Sequence, residues 1–294
     1  MKYRAEIDGL RALSVMAVVI FHFFPNNFRN GFLGVDIFFV ISGFLISLQL
    51  ISKRENSVLQ TLKHFYVRRI KRLLPAVFVF LVLTTLLSSF IFLEPDFKSF
   101  RNSLFPSMTF WSNIFFWQDG GYFSGDSKLK ILLHMWSLSV EEQFYFFYPM
   151  FLLICLMLFK KNLLGSFTLV TLMSTVSFAL CVYLYSIGGG NPAFFLLPTR
   201  MWQFGFGAII AFYIHNKTNP NKLDASANLS KNPLKLEILA LLSLVLFVVA
   251  FSGKLSQLHS TIIVTIAAAM FIACLLYTSP SPRDLSTSRM PSSA

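Results

Sequence analysis

Eight apolar windows follow one another along the chain, near residues 10–26, 34–52, 75–93, 138–159, 164–186, 194–214, 236–252 and 257–276. Each is long enough to cross a bilayer as a helix once tilt and snorkelling ends are allowed. This succession constrains the fold more than any other feature, because in hydrocarbon every backbone polar group must be satisfied internally and isolated spans of this kind are helices. The composition agrees: 55% of the residues are hydrophobic, 16% aromatic and only 13% charged, more apolar surface than a soluble domain of 294 residues can bury. The expected fold class is an all-α polytopic integral membrane protein with about eight transmembrane helices present. A formal charge of +12 would suggest nucleic acid in a soluble protein. Here the basic residues gather in short loops between spans, the pattern that sets membrane orientation, so no nucleic-acid partner is expected.

A cytoplasmic N-terminus places Lys2, Arg4 and Arg11, the cluster from Lys53 to Arg72, the pair Lys160 and Lys161, and Lys217, Lys222, Lys231 and Lys235 inside. The outer face then keeps the smaller share, among them Arg29, Lys98, Arg101 and Arg200, as the positive-inside bias requires. The aromatic stretch 100–117 is read as an outer-side interfacial or re-entrant piece of a long outer region, 94–136. Counting it as a ninth span would turn the two lysine-rich loops after it outward. The first span carries Asp8 and Arg11 at its start and no small-residue cleavage site, so it is expected to stay attached. Cys155, Cys181 and Cys274 sit in apolar runs without metal-ligand spacing and are read as core filler, with no metal site expected.

An ionisable group inside a span is costly unless it is paired or lines a wet cavity, so each one marks a candidate site. In the first span Arg11 and His22 are eleven residues apart, which returns them to one helix face about 16 Å apart along the axis. Asp36, early in GFLGVDIFFVISGFLI, falls on the same outer side as His22 and could hold its imidazole in one tautomer. An interfacial Asp8–Arg11 pair with a locally satisfied His22 is the plainer alternative. Gly31, Gly34 and Gly43, with Ser42, would let the second helix approach its neighbours closely. The run FYVRRIKRLLP reads as a loop ahead of the third span; Arg68, Arg69 and Arg72 there could grip phosphates or simply anchor the membrane face. In HMWSLSVEEQFYFFYP, Glu141 and Glu142 are expected to start the fourth span from outside, flanked by His134, Trp136 and Ser139, with Arg200 as a basic partner. Glu142 is expected to be buried and functional and Glu141 solvated; two headgroup-level glutamates are the alternative.

Taken together, IDGLRALSV followed by His22, GFLGVDIFFVISGFLI, the RRIKR cluster, LLHMWSLSVEEQFYFFYP and LLPTRMWQFGFGAIIAF resemble the acyltransferase type 3 family of bacterial membrane proteins that O-acylate surface glycans. The five motifs occur in order over most of residues 4 to 215. The resemblance implies essential roles for Arg11 and His22, and acetyl-CoA use by Arg69 and Arg72. It also implies about ten spans, and the motif wording is most like members that carry a C-terminal SGNH-type domain outside the membrane. The segment CLLYTSPSPRD resembles a translated transposon-end adapter; a disordered polar tail is the plainer alternative. The expected organisation is therefore an acyltransferase domain over 1–273, C-terminally truncated, and a non-native tail over 274–294.

On this reading the chain is an O-acyltransferase of the bacterial inner membrane, with no permanently bound cofactor and with acetyl-CoA as co-substrate. The acceptor is a hydroxyl of a surface or lipid-linked glycan: O-antigen of lipopolysaccharide, peptidoglycan or exopolysaccharide. Arg68, Arg69 and Arg72 would hold the CoA phosphates and Arg11 the thioester end. His22, steadied by Asp36, would serve as base or transient acyl carrier for the acceptor hydroxyl, with Glu142 as a further catalytic group and His134, Trp136, Ser139, Glu141 and Arg200 facing the acceptor. The rival class is a transporter or flippase without acyl chemistry, which would not require CoA.

Overall fold

The computed structural model describes residues 5–52, 57–120, 130–159, 162–217 and 233–278. All its elements are helices: α1 Ala5–Phe23, a 3-10 turn Gly31–Leu33, α2 Gly34–Ser52, α3 Val58–Ile91, α4 Glu94–Met108, α5 Ser112–Gln118, α6 Met135–Leu158, α7 Leu163–Ser186, α8 Gly190–Phe195, α9 Leu197–Lys217, α10 Pro233–Phe251 and α11 Gln257–Thr278. Among the described residues, five helical stretches are long and apolar enough to cross a membrane: Gly31–Ser52, α3, α6, α7 and Gln257–Leu275. The apolar part of α10, Leu236–Phe251, is shorter. The large apolar side chains left exposed on α3, such as Phe78, Leu87 and Phe90, fit a helix solvated by lipid rather than water. Loop lysines used to orient the chain, including Lys160, Lys161, Lys222 and Lys231, and the tail 279–294 lie outside the described residues.

Two expectations change. The third span does not begin at 75: α3 starts at Val58 and runs for 34 residues through Pro75, so Arg68, Arg69, Lys71 and Arg72 are on the helix and not in a loop. The good helix formers that precede Pro75 (Leu59, Gln60, Leu62, Lys63, Lys71, Arg72) sustain the helix across the polar stretch that a hydropathy window rejects. Second, the sixth window is divided at Leu196, with Pro192 and Pro198 on either side, into α8 and α9. The stretch 100–117, not counted as a span, is two short helices, α4 and α5, separated by a turn at 109–111 where Phe110 takes φ 58°.

The chain divides into two compact units, one of residues 1–41 with 216–294 and one of residues 42–215. In the first, the 3-10 turn and the start of α2 lie against α1, where a Cβ on Gly34 would collide with the Ser14 carbonyl oxygen. Asn30 ties this turn to the α10–α11 pair by donating to the Ala250 carbonyl at 2.9 Å and to Ser260 Oγ at 3.2 Å, and Phe28 stacks on Phe251. In the second unit, α2 continues into a core of α6, α7 and α9. Gly43 admits the backbone of Phe204, Gly205 admits the Ser174 side chain, and Phe144 is stacked between Phe204 at 4.0 Å and Tyr148 at 4.5 Å. The expected packing role of Gly31, Gly34 and Gly43 is thus what the structure uses them for.

Candidate functional site

Helices α3 and α6 run antiparallel, since Phe80 meets His134, the Arg69 guanidinium lies over the Tyr145 ring, and the Tyr66 hydroxyl donates to the Phe146 carbonyl at 2.7 Å. This register carries Arg69 and Glu142 into one cavity of about 460 Å³. Its walls are otherwise mainly apolar, with Leu73, Leu74, Trp111 and Phe147 among them, and Gln143 and Thr109 add polar edges. Glu142 is eight residues past His134, about 12 Å along the helix, so the acids are not at the helix mouth.

The positive charge that acts on Glu142 is that of Arg69, which lines the same cavity. The expected partner, Arg200, is instead buried in a different cluster, where its Nε donates to the Phe194 carbonyl at 2.8 Å and its guanidinium lies over the rings of Phe194 and Trp136. A carboxylate and a guanidinium in a mostly apolar cavity each offset the desolvation of the other; either alone would be costly.

Glu141 departs from the solvated role expected of it. Its Oε1 accepts from Ser42 Oγ at 2.5 Å, and the Tyr145 hydroxyl reaches the same carboxylate oxygen as well as Ser42 Oγ, the latter at 2.7 Å. Tyr145 also forms the platform for Arg69, whose Cζ is 3.2 Å from the ring centroid. One tyrosine therefore joins the Glu141–Ser42 hydroxyl network to the cation of the cavity. Sequence reading missed Tyr145; the signal was its spacing, one turn after both glutamates in EEQFY, which puts all three on one side of the helix.

The remaining candidates separate. Arg68 and Arg72 are exposed on α3, while Arg69 is half-buried. His134 is exposed at the start of α6 with its ring edge-on to Phe80. Trp136 is buried against Phe194 at 4.5 Å, and Ser139 shares a 2.7 Å hydrogen bond with Ser112. None of these three lines the cavity; they join α6 to α3, α5 and α8.

Arg11, His22 and Asp36 belong to the other unit. Arg11 pairs with Asp8 at 3.3 Å on a partly exposed helix face. Asp36 is buried and accepts from Thr261 Oγ1 at 3.4 Å. His22 is exposed, and its Nδ1 lies 2.8 Å from the Val18 carbonyl oxygen. A carbonyl can only accept, so Nδ1 carries the hydrogen of this contact, which is made to the helix backbone rather than to Asp36.

Comparison with known proteins agrees with the motifs. The family described as "Acyltransferase domain" matches residues 4–288. The peptidoglycan O-acetyltransferase OatA of Listeria monocytogenes is 36% identical over 224 residues, covering 74% of this chain and 35% of the relative. The O-acetyltransferase OatA of Staphylococcus aureus is 34% identical over 213 residues, 72% of this chain and again 35% of the relative. The chain thus spans about a third of the length of the curated relatives it matches. No solved structure matches it. With the family covering nearly every residue and with relatives that share a third of its aligned positions, the chain belongs to the acyltransferase domain family, the acyltransferase type 3 group that its motifs resemble.

Proposed function

We propose that the chain is the membrane part of an O-acetyltransferase that takes an acetyl group from cytosolic acetyl-CoA and passes it to a hydroxyl of a cell-surface or lipid-linked glycan. The relatives' names favour peptidoglycan among the possible acceptors. The observation that carries this reading is the Arg69–Glu142 pair in a cavity with mainly apolar walls, reached from one end by a helix that also bears Arg68 and Arg72. Acyl transfer needs a fixed positive charge where the thioester oxygen becomes negative, in a place that excludes water. Arg69 supplies that charge, steadied by Tyr145, and the exposed Arg68 and Arg72 suit the phosphates of CoA.

The multi-pass chain lies in the bacterial cytoplasmic membrane with its N-terminus inside, which puts the beginning of α3 toward the CoA pool. The acceptor hydroxyl gives up its proton as the ester C–O bond forms, the thioester C–S bond breaks, and CoA leaves as the thiol. His22 and Arg11, which lie in the first unit, are the base and the acyl-orienting residue that the resemblance gives.

The test supplies acyl-labelled acetyl-CoA to membranes expressing the chain and follows label into extractable glycan. Label with wild type, and little with Arg69→Ala, Glu142→Gln or His22→Ala at equal membrane levels, is the expected result. Full transfer by the Arg69 and Glu142 variants would remove the cavity from the mechanism. Glycan translocation without any CoA requirement would replace acyl transfer by transport.

A further inference from the structure

We infer that Gln143 is a positioning residue for this cavity: it holds the strained turn between α4 and α5 in place and thereby fixes the part of the wall that Thr109, Phe110 and Trp111 form. This rests on the acyl-transfer reading of the cavity.

The turn contributes Thr109, Phe110 and Trp111 to the lining. Phe110 adopts φ 58°, a left-handed conformation that a bulky side chain rarely takes and that persists only where neighbouring contacts impose it. Backbone bonds close the turn onto α4, the Trp111 N–H donating to the Pro106 carbonyl at 2.8 Å and the Phe110 N–H to the Ser107 carbonyl at 3.4 Å, and one side chain of α6 holds it from outside. The Gln143 amide donates to the Phe110 carbonyl at 2.9 Å and to Asn113 Oδ1 at 2.9 Å. Asn113 is itself buried and donates back to Gln143 Oε1 at 3.4 Å and to the Phe195 carbonyl of α8 at 3.1 Å. Both hydrogens of the Gln143 amide are thus committed to the turn and the first residues of α5, and every polar atom of the Gln143–Asn113 pair is used. Since Gln143 follows Glu142 directly on α6, the bond ties this part of the wall to the helix that carries Glu142.

A wall fixed in this way limits the size of the acyl group that can sit beside Arg69. When the clamp is lost, the turn relaxes toward ordinary φ and the cavity widens. Gln143→Met keeps the length of the side chain and removes both donors. Phe110→Gly offers a complementary change, because glycine accepts positive φ without strain and needs no clamp to stay there.

The experiment compares wild type, Gln143→Met, Phe110→Gly and the double variant in membranes, using labelled acetyl-CoA and butyryl-CoA as donors. Gln143→Met is expected to lower kcat for acetyl transfer about tenfold, with KM for acetyl-CoA changed less than about twofold, and to raise the butyryl-to-acetyl ratio. The double variant should recover to within about threefold of Phe110→Gly alone. A second readout is independent of activity: amide hydrogen exchange across 105–118 should quicken in Gln143→Met and slow again in the double variant. Equal exchange in wild type and Gln143→Met overturns the clamp whatever the transfer assay gives, as does an unchanged donor ratio with normal kcat. Altered exchange in proteins that transfer no label at all keeps the clamp and refutes the acyl-transfer reading instead.

Discussion

Tyr145 gives the most discriminating test of the cavity, because its ring and its hydroxyl serve different partners. The ring supports Arg69 at 3.2 Å, and the hydroxyl bonds within the Glu141–Ser42 network. Tyr145→Phe removes only the hydroxyl, whereas Tyr145→Leu removes the platform as well. A hydrogen bond to a charged group contributes about 1.5–3 kcal/mol, but Ser42 remains to serve Glu141 at 2.5 Å in the Phe variant, so the lower figure applies. A guanidinium on an aromatic face away from water contributes about 2 kcal/mol. At ~1.4 kcal/mol per factor of ten, kcat/KM should fall about tenfold in Tyr145→Phe and a few hundredfold in Tyr145→Leu. The assay is the initial rate of label transfer over a range of acetyl-CoA concentrations, normalised to inserted protein. Ser42→Ala is the control for the hydroxyl network and should fall no further than Tyr145→Phe. Equal losses in the Phe and Leu variants would refute the argument that the ring positions Arg69, and near-wild-type activity in Tyr145→Leu would remove Arg69 stacking from catalysis altogether.

Other outcomes follow from the same geometry. Arg68→Ala with Arg72→Ala should raise KM for acetyl-CoA several-fold and spare kcat, while Arg69→Lys, which cannot stack as a plane, should lower kcat by about tenfold or more; saturation kinetics separate the two. His22→Asn preserves a donor for the Val18 carbonyl but has no Nε2, so transfer should drop by about a hundredfold or more in the label assay with α1 intact. Gly43→Val would drive a side chain into the Phe204 backbone and should destabilise the second unit by about 1–3 kcal/mol or prevent its assembly, visible as a lower Tm and yield in detergent.

The sequence by itself determined the helical, membrane-spanning character and marked the EEQFY stretch as a site. Both are local properties: an apolar run has to be a helix in hydrocarbon, and an acid within such a run has to be accounted for. It located α2 at 34–52 to the residue, because the glycines and the apolar run agree there. It misplaced the start of α3, since a hydropathy window cannot see that the basic stretch from Lys63 to Arg72 continues the same helix. It also gave the two glutamates Arg200 as a basic partner and left Glu141 in solvent. Only the tertiary structure decided that Arg69 and Glu142 share a cavity, that Tyr145 and Ser42 claim Glu141, and that the turn at Phe110 forms part of the cavity wall. Which charges meet across two helices depends on their rotation and antiparallel register. Those are set by close packing, such as Gly43 on Phe204 and Phe144 between Phe204 and Tyr148, and packing depends on residues far apart in the chain.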